Sequence, residues 1–63
     1  MRIRFILVPK EAGYVLRDPR GGTEARFSSI KDAIGYATKI AAGQPAELVV
    51  QNEEGKVSLE FPL

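Results

Sequence analysis

Residues 29–41 read SIKDAIGYATKIA, and they carry the clearest secondary-structure signal in the chain. Ser29 is suited to cap the backbone donors of a first helical turn, and Asp32 places a carboxylate near the positive end of the helix dipole. Gly35, in the interior, costs about 1 kcal/mol relative to alanine, which indicates either an exposed position or a close neighbour. Apolar side chains recur at the spacing of one helical face, at Ile30, Ala33, Ile34, Ala37, Ile40 and Ala41. The segment therefore predicts one amphipathic helix.

Alternating apolar and polar side chains on both sides of this helix predict β-strands. Three strands precede the helix and two follow it, and the turns between them are rich in Gly, Pro, Asp and Asn. Pro9 is expected to end the first strand because proline has no backbone donor for the ladder. The predicted strands span residues 2–8, 14–17, 23–27, 47–51 and 56–61.

The element order βββαββ predicts an α+β domain in which an antiparallel β-sheet carries one amphipathic helix on one face. The 63 residues have room for a single small domain over 1–63, since a chain of this size buries only about 60% of its unfolded surface. The period of two in each strand decides which side chains are expected to face the helix. They are Phe5, Leu7, Tyr14, Leu16, Phe27, Leu48, Val50, Val57, Leu59 and Phe61.

Four apolar side chains are expected on the sheet face opposite the helix: Ile6, Val8, Val15 and Val49. Contiguous apolar surface on a small domain marks an interaction site more often than an accident, and a marginally stable domain gains most from covering it. We therefore expect a non-enzymatic interaction module that forms a homodimer through this face or through an edge strand. A shift of one residue in the first strand would turn its side chains to the other face and remove much of the patch.

The composition limits the chemistry that the chain can perform. It has no cysteine and no histidine, so the thiolate nucleophile, the commonest general base and the commonest metal ligand are missing. We therefore expect no catalytic residue, no metal site and no cofactor. The adjacent carboxylates Glu53 and Glu54 fall in a tight turn, where both are expected to be solvated. Since no apolar run reaches the roughly 20 residues of a membrane span and no signal peptide is recognised, we expect a cytoplasmic protein.

The basic residues are unevenly distributed along the chain. Residues 1–32 hold seven Lys or Arg against four Asp or Glu, whereas residues 33–63 hold two against four. Such asymmetry can mark a nucleic-acid surface, although solvated strand positions explain it more often. Weak nucleic-acid binding is the alternative function, and it predicts an affinity that falls steeply with salt. The residues that would make these contacts are Arg2, Arg4, Arg17, Arg20 and Arg26.

A further pattern of residues runs along nearly the whole chain. Its parts are Val8-Pro9, Tyr14, Phe27 before a capped helix with Ala33, Ile34 and Ala37, then Glu47-Leu48-Val49-Val50 and Gly55-Lys56-Val57. This pattern resembles that of a family of small bacterial proteins, the domain of unknown function 2188. The matching positions are structural, so the resemblance implies the fold and no activity. The segment Gly13-Tyr14-Val15, followed by a glycine loop and residues 29–34, is also similar to the HicB-type antitoxin domain, which implies a small ribonuclease toxin as partner.

Overall fold

The computed structural model describes residues 2–22 and 24–63, in which five strands and one helix follow one another in the order βββαββ. The elements are β1 (Ile3–Lys10), β2 (Gly13–Arg17), β3 (Ala25–Phe27), α1 (Ile30–Ala41), β4 (Ala46–Gln51) and β5 (Val57–Pro62). The predicted third strand began at residue 23, which lies outside the described residues. The α+β class with a single helix among the described residues is confirmed.

The sheet is mixed, which corrects the prediction of an antiparallel sheet. Its strand order is β3-β2-β1-β4-β5, with β1 and β4 parallel and every other neighbouring pair antiparallel. The chain runs outward through β2 and β3, and α1 then carries it back across the sheet to the free side of β1. β3 runs in the same direction as β1, because both pair antiparallel with β2. A crossover through a helix delivers the next strand in the direction of the strand before it, so β4 is parallel to β1.

Pro9 does not end β1, which continues to Lys10 and corrects the predicted boundary. β4 pairs with β1 only from Ile3 to Leu7, whereas β2 pairs with it as far as Lys10. The last residues of β1 therefore have a neighbouring strand on one side only. Proline is tolerated in a strand where one side of the ladder is open.

The helix occupies the predicted residues, and both of its ends are capped. The Ser29 hydroxyl oxygen accepts a hydrogen bond from the Asp32 backbone N–H at 3.2 Å. At the other end Ala42 adopts a left-handed conformation, with φ 53°, and its N–H donates to the Lys39 carbonyl oxygen at 3.2 Å. Asp32 in the first turn and Lys39 in the last turn also carry the charges that favour each end of the helix dipole.

The core lies between α1 and one face of the sheet. Three helix alanines, Ala33, Ala37 and Ala41, are buried, and their small side chains allow the helix to lie close to the strands. Most of the larger side chains come from the sheet, where the core residues are Ile3, Phe5, Leu7, Leu16, Ala46, Leu48 and Val50. Partly buried isoleucines of the helix, Ile30, Ile34 and Ile40, pack against this cluster. The helix therefore supplies a narrow contact surface, and the strands supply most of the core volume.

Two glycines occupy opposite environments. Gly35 lies on the exposed side of α1, and a Cβ placed there would meet nothing within 4 Å. Gly13, in β2, is different because a Cβ there would lie 2.7 Å from the Phe27 carbonyl oxygen of β3. That neighbour is backbone and cannot rotate away. The close approach of β2 and β3 therefore requires Gly13, whereas no described contact requires Gly35.

Replacing Gly35 with alanine is expected to raise the free energy of unfolding by about 1 kcal/mol, because alanine has the higher helix propensity. Gly13→Ala is the matched control, and it is expected to lower the free energy of unfolding because the new methyl group displaces the β3 backbone. Urea unfolding followed by far-ultraviolet circular dichroism measures both changes. A Gly35→Ala variant that is less stable than the wild type would contradict this account of the helix surface.

Candidate functional site

The arginines that were predicted to contact nucleic acid each have a carboxylate within 4.0 Å. The pairs are Arg2–Glu47 (3.4 Å), Arg4–Glu47 (3.7 Å), Arg4–Glu60 (3.9 Å), Arg17–Glu24 (3.0 Å), Arg20–Asp18 (2.9 Å) and Arg26–Glu11 (3.9 Å). Glu47 and Glu60 come from the acidic second half of the chain, so the fold brings the two halves of the charge distribution together. The described surface therefore interleaves both signs of charge around these arginines.

Arg20 ties the turn between β2 and β3 to the end of the helix. Its Nε and Nη2 donate to the Asp18 carboxylate at 3.0 Å and 2.9 Å, and Nη2 also donates to the Ile40 carbonyl oxygen at 3.2 Å. Its guanidinium carbon lies 5.6 Å from the centroid of the Phe5 ring, within the range of a cation–π contact. Carbonyls in the last helical turn lack helical partners, so Arg20 satisfies one of them. These contacts give Arg20 a structural role.

The Arg20 side chain lowers the pKa of Asp18 below its ordinary value, chiefly through the hydrogen bonds that it donates to the carboxylate. Desolvation of the carboxyl group acts in the opposite direction. The Arg20 backbone N–H, which donates to Asp18 Oδ1 at 2.9 Å, lowers the pKa further. The carboxylate therefore keeps its charge in more acidic solution than an isolated aspartate does.

The four apolar residues predicted on the open sheet face lie together on the side that faces away from α1. The sheet register pairs Ile6 with Val49 and Val8 with Val15. None of the four belongs to the core cluster under the helix. Little of the patch reaches solvent, because Val49 is 1% exposed and Val15 is 5% exposed, while Ile6 and Val8 are half-buried.

Charged residues on the neighbouring strands border this patch. The register places Arg17 beside Ile6, Arg26 beside Val15 and Glu60 beside Val49. Long charged side chains lay their methylene groups along apolar surface while their charged ends reach water. The open face is therefore bordered by charge and offers only a narrow apolar strip.

More apolar surface is exposed on the edge strand β5, at Val57 and Leu59, each 48% exposed. We call these two residues the β5 margin. Both were predicted to be covered by the helix, and the structure corrects this. Leu59 pairs with the core residue Val50 and so shares the helix side of the sheet, whereas the register shift pairs Val57 with Gln51 and turns Val57 to the other side. The helix packs mainly against β1, β3 and β4, however, and β5 lies at the edge beyond β4.

The width of the sheet explains the exposure of Leu59. Five strands span roughly 19 Å, whereas a helix with its side chains is only about 10 Å across. A single helix therefore cannot cover both edges of the sheet. At the β3 edge the Phe27 ring of β3 contacts the Tyr36 ring of α1, with their centroids 5.2 Å apart. The helix therefore lies toward β3, and the edge of the sheet that it leaves uncovered is β5.

The described residues offer little material for other kinds of site. Within 2–22 and 24–63 there is no cluster of three acidic side chains that could hold a metal ion. The same residues contain no buried side-chain nitrogen or oxygen without a hydrogen-bond partner. The helix that they form, 12 residues long, does not meet the length needed to cross a membrane. Among the described residues the β5 margin remains as a candidate site.

A family model matches residues 6–60, and the family is described as an uncharacterized protein conserved in bacteria (DUF2188). The chain belongs to the DUF2188 family. The match runs from within β1 into β5 and confirms the family resemblance seen in the sequence. No curated protein and no solved structure matches the chain. The description of DUF2188 assigns no activity.

The lowered pKa of Asp18 makes the stability of this DUF2188 protein dependent on pH. A carboxyl group whose pKa is lower in the folded state stabilises the fold above its unfolded pKa, and this contribution is lost as the pH falls through the folded pKa. Asp18→Asn is therefore expected to lower the melting temperature at neutral pH. The difference from the wild type is expected to shrink as the pH falls below the ordinary value of an aspartate.

Thermal unfolding followed by circular dichroism from neutral pH into the acid range measures this dependence. Glu24→Gln is the control, because Glu24 pairs with Arg17 on the exposed surface, where an ion pair contributes about 0 to 1 kcal/mol. A difference between Asp18→Asn and the wild type that stays constant across the whole acid range would argue against the role given to the Asp18–Arg20 pair.

Proposed function

We propose that this DUF2188 protein is a non-enzymatic interaction module that associates with a second copy of itself through the β5 margin. The observation that carries the proposal is the 48% exposure of both Val57 and Leu59 on an edge strand. Apolar surface gains about 25 cal/mol per Å² when it leaves water. A domain of this size has a small core, so covering two large apolar side chains adds substantially to its stability.

Side-chain packing is a better mode of association for β5 than the addition of one strand to another. Pro62 lies within β5 and has no N–H to donate, and Glu60 places an exposed charge on the same strand. The register between β4 and β5 also shifts at Val50/Gln51, which is the mark of a bulge. Proline, charge and bulges on an edge strand each discourage backbone pairing with another chain. The two copies are therefore expected to meet through the side chains of the β5 margin.

The charges beside the β5 margin favour a second copy as the partner. Lys56 precedes it and Glu60 follows it, and both residues are exposed. If two copies meet about a two-fold axis near Ser58, their β5 strands run antiparallel. Lys56 of each copy then faces Glu60 of the other. The two Leu59 side chains lie close together on the helix side of the sheet, and the two Val57 side chains lie close together on the opposite side. The surface is thus complementary to itself in both charge and apolar character.

The other predicted surfaces receive less support. The open sheet face has less apolar area to bury, because Val15 and Val49 are already buried within the monomer. Nucleic-acid binding would have to compete with carboxylates for the arginines, such as Glu24 at 3.0 Å from Arg17. For these reasons we place the proposed contact between the two copies at the β5 margin.

Sedimentation velocity over a range of protein concentrations tests the association. The wild type is expected to shift from a 6.9 kDa monomer toward twice that mass as the concentration rises. Val57→Lys and Leu59→Lys are each expected to raise the dissociation constant at least about tenfold, which corresponds to about 1.4 kcal/mol. Each change removes apolar contact area and brings two lysine side chains, one from each copy, close together beside the axis.

Ala12→Lys is the matched control, because it adds the same charge to the exposed turn between β1 and β2. It is expected to leave the dissociation constant unchanged, and circular dichroism establishes that every variant is folded. Lys56→Glu is expected to weaken association, and adding Glu60→Lys to it is expected to restore association. A wild type that stays monomeric at its highest soluble concentration, or a Leu59→Lys variant that associates as well as the wild type, would refute the proposal.

A further inference from the structure

The outward side of α1 carries four exposed residues: Asp32, Gly35, Tyr36 and Lys39. Their spacing of three, four and seven residues places them on one face of the helix. We call these four residues the outer α1 face. The three buried alanines that contact the sheet occupy other positions of the helix, so this face points away from the core. The outer α1 face is therefore open to another molecule.

Gly35 lies in the middle of the outer α1 face, and the monomer does not require a glycine there. A Cβ at Gly35 would meet nothing within 4 Å. The other five glycines either have a positive φ or, at Gly13, lie against backbone, so the fold requires each of them. Glycine inside a helix is less favourable than alanine because it loses more backbone entropy. The absent side chain at Gly35 leaves a surface on which a second helix can approach closely.

The charges at the two ends of the outer α1 face are placed symmetrically. At a rise of about 1.5 Å per residue, Asp32 and Lys39 each lie about 5 Å along the helix axis from the midpoint of the face. That midpoint falls between Gly35 and Tyr36. Within residues 2–22 and 24–63 neither charged side chain forms an ion pair, whereas each of the five arginines does. An identical face that runs in the opposite direction would complement both charges.

We propose that the outer α1 faces of two copies pack against each other, with the helices antiparallel, about a two-fold axis that passes between Gly35 and Tyr36. A two-fold contact uses the same surface on both copies, so that surface must be complementary to itself. Asp32 of each copy then faces Lys39 of the other, and two ion pairs form across the axis. The two Gly35 residues let the helices approach each other. The two Tyr36 rings, each 37% exposed and in contact with Phe27, meet beside them.

This contact is separate from the β5 margin and is expected to be the weaker of the two. Tyr36 is the one large apolar side chain of the outer α1 face, and exposed ion pairs contribute little. The outer α1 face and the β5 margin share no residue, so either contact can form without the other. In the wild type the helices are expected to pair only at concentrations above those at which the β5 margins associate. The Leu59→Lys variant, which weakens the β5 contact, isolates the pairing of the helices.

A dilution series of ¹⁵N-labelled Leu59→Lys protein, followed by nuclear magnetic resonance, tests the contact. Concentration-dependent shifts that fit a monomer–dimer equilibrium are expected at Gly35 and Tyr36. Adding Gly35→Gln is expected to raise the dissociation constant at least about fivefold, because the new side chain holds the helices apart. The same variant is expected to unfold at a higher urea concentration, because glutamine has the higher helix propensity. Thr38→Gln is the matched control, since it places glutamine on the same helix outside the outer α1 face and is expected to leave the dissociation constant unchanged.

Reversal of the charges tests the same contact independently, again in the Leu59→Lys protein. Asp32→Lys and Lys39→Asp are each expected to raise the dissociation constant at least about fivefold, because each change places like charges opposite each other. The two changes together are expected to restore association, although they put unfavourable charges at both ends of the helix dipole. Lys31→Asp is the control, because it makes the same charge change as Lys39→Asp at an exposed helix position outside the outer α1 face.

Dispersed spectra establish that every variant is folded. A Leu59→Lys protein without concentration-dependent shifts on α1 would overturn the proposal. So would a Gly35→Gln variant that associates as tightly as Thr38→Gln does, or a double charge reversal that associates no better than either single one. These outcomes leave the β5 margin untouched, because association there is measured by the comparison of the wild type with Leu59→Lys.

Discussion

The close contact between the alanine face of α1 and the central strands is the constraint on which the rest of the structure depends. Ala37 is completely buried, and so are Phe5 and Leu48 on β1 and β4, which pair directly. Small helix side chains permit this short separation, and a larger side chain at Ala37 would force the helix away from the sheet. The helix can then cross from β3 to β4 directly over the core. The parallel pairing of β1 and β4 is a consequence of that crossing.

The position of the helix also determines what the arginines do. Because α1 ends near the turn between β2 and β3, Arg20 reaches the Ile40 carbonyl oxygen while it remains bonded to Asp18. Its guanidinium group then lies over the Phe5 ring, at the margin of the core. The arginine-rich first half of the chain suggests nucleic-acid binding in the sequence, but Arg20 has a structural role in the fold. Arg17 and Arg26 form exposed ion pairs, which contribute little to stability.

The parts of the fold that depend on local sequence could be predicted. The parts that depend on which strands lie side by side in the sheet could not. The cap at Ser29 and the alanine and isoleucine spacing defined α1 correctly, because both signals lie within the helix itself. The period of two placed Leu59 on the helix side, but that period carries no information about how far a strand lies from the helix axis. For the same reason the burial of Val49 was missed, since it depends on side chains of β1 and β5.

The exposure of the β5 margin follows from the architecture, but its apolar character does not. A sheet of five strands with one helix must leave an edge uncovered, and any side chain with strand propensity could occupy that edge. Val57 and Leu59 contribute less to the monomer than the fully buried Leu48 does, because about half of each remains in water. Polar residues there would cost the isolated domain little and would make it more soluble. Apolar residues at these two positions therefore support the proposed association, in which a second copy covers them, and the opposite charges of Lys56 and Glu60 on either side support the same proposal.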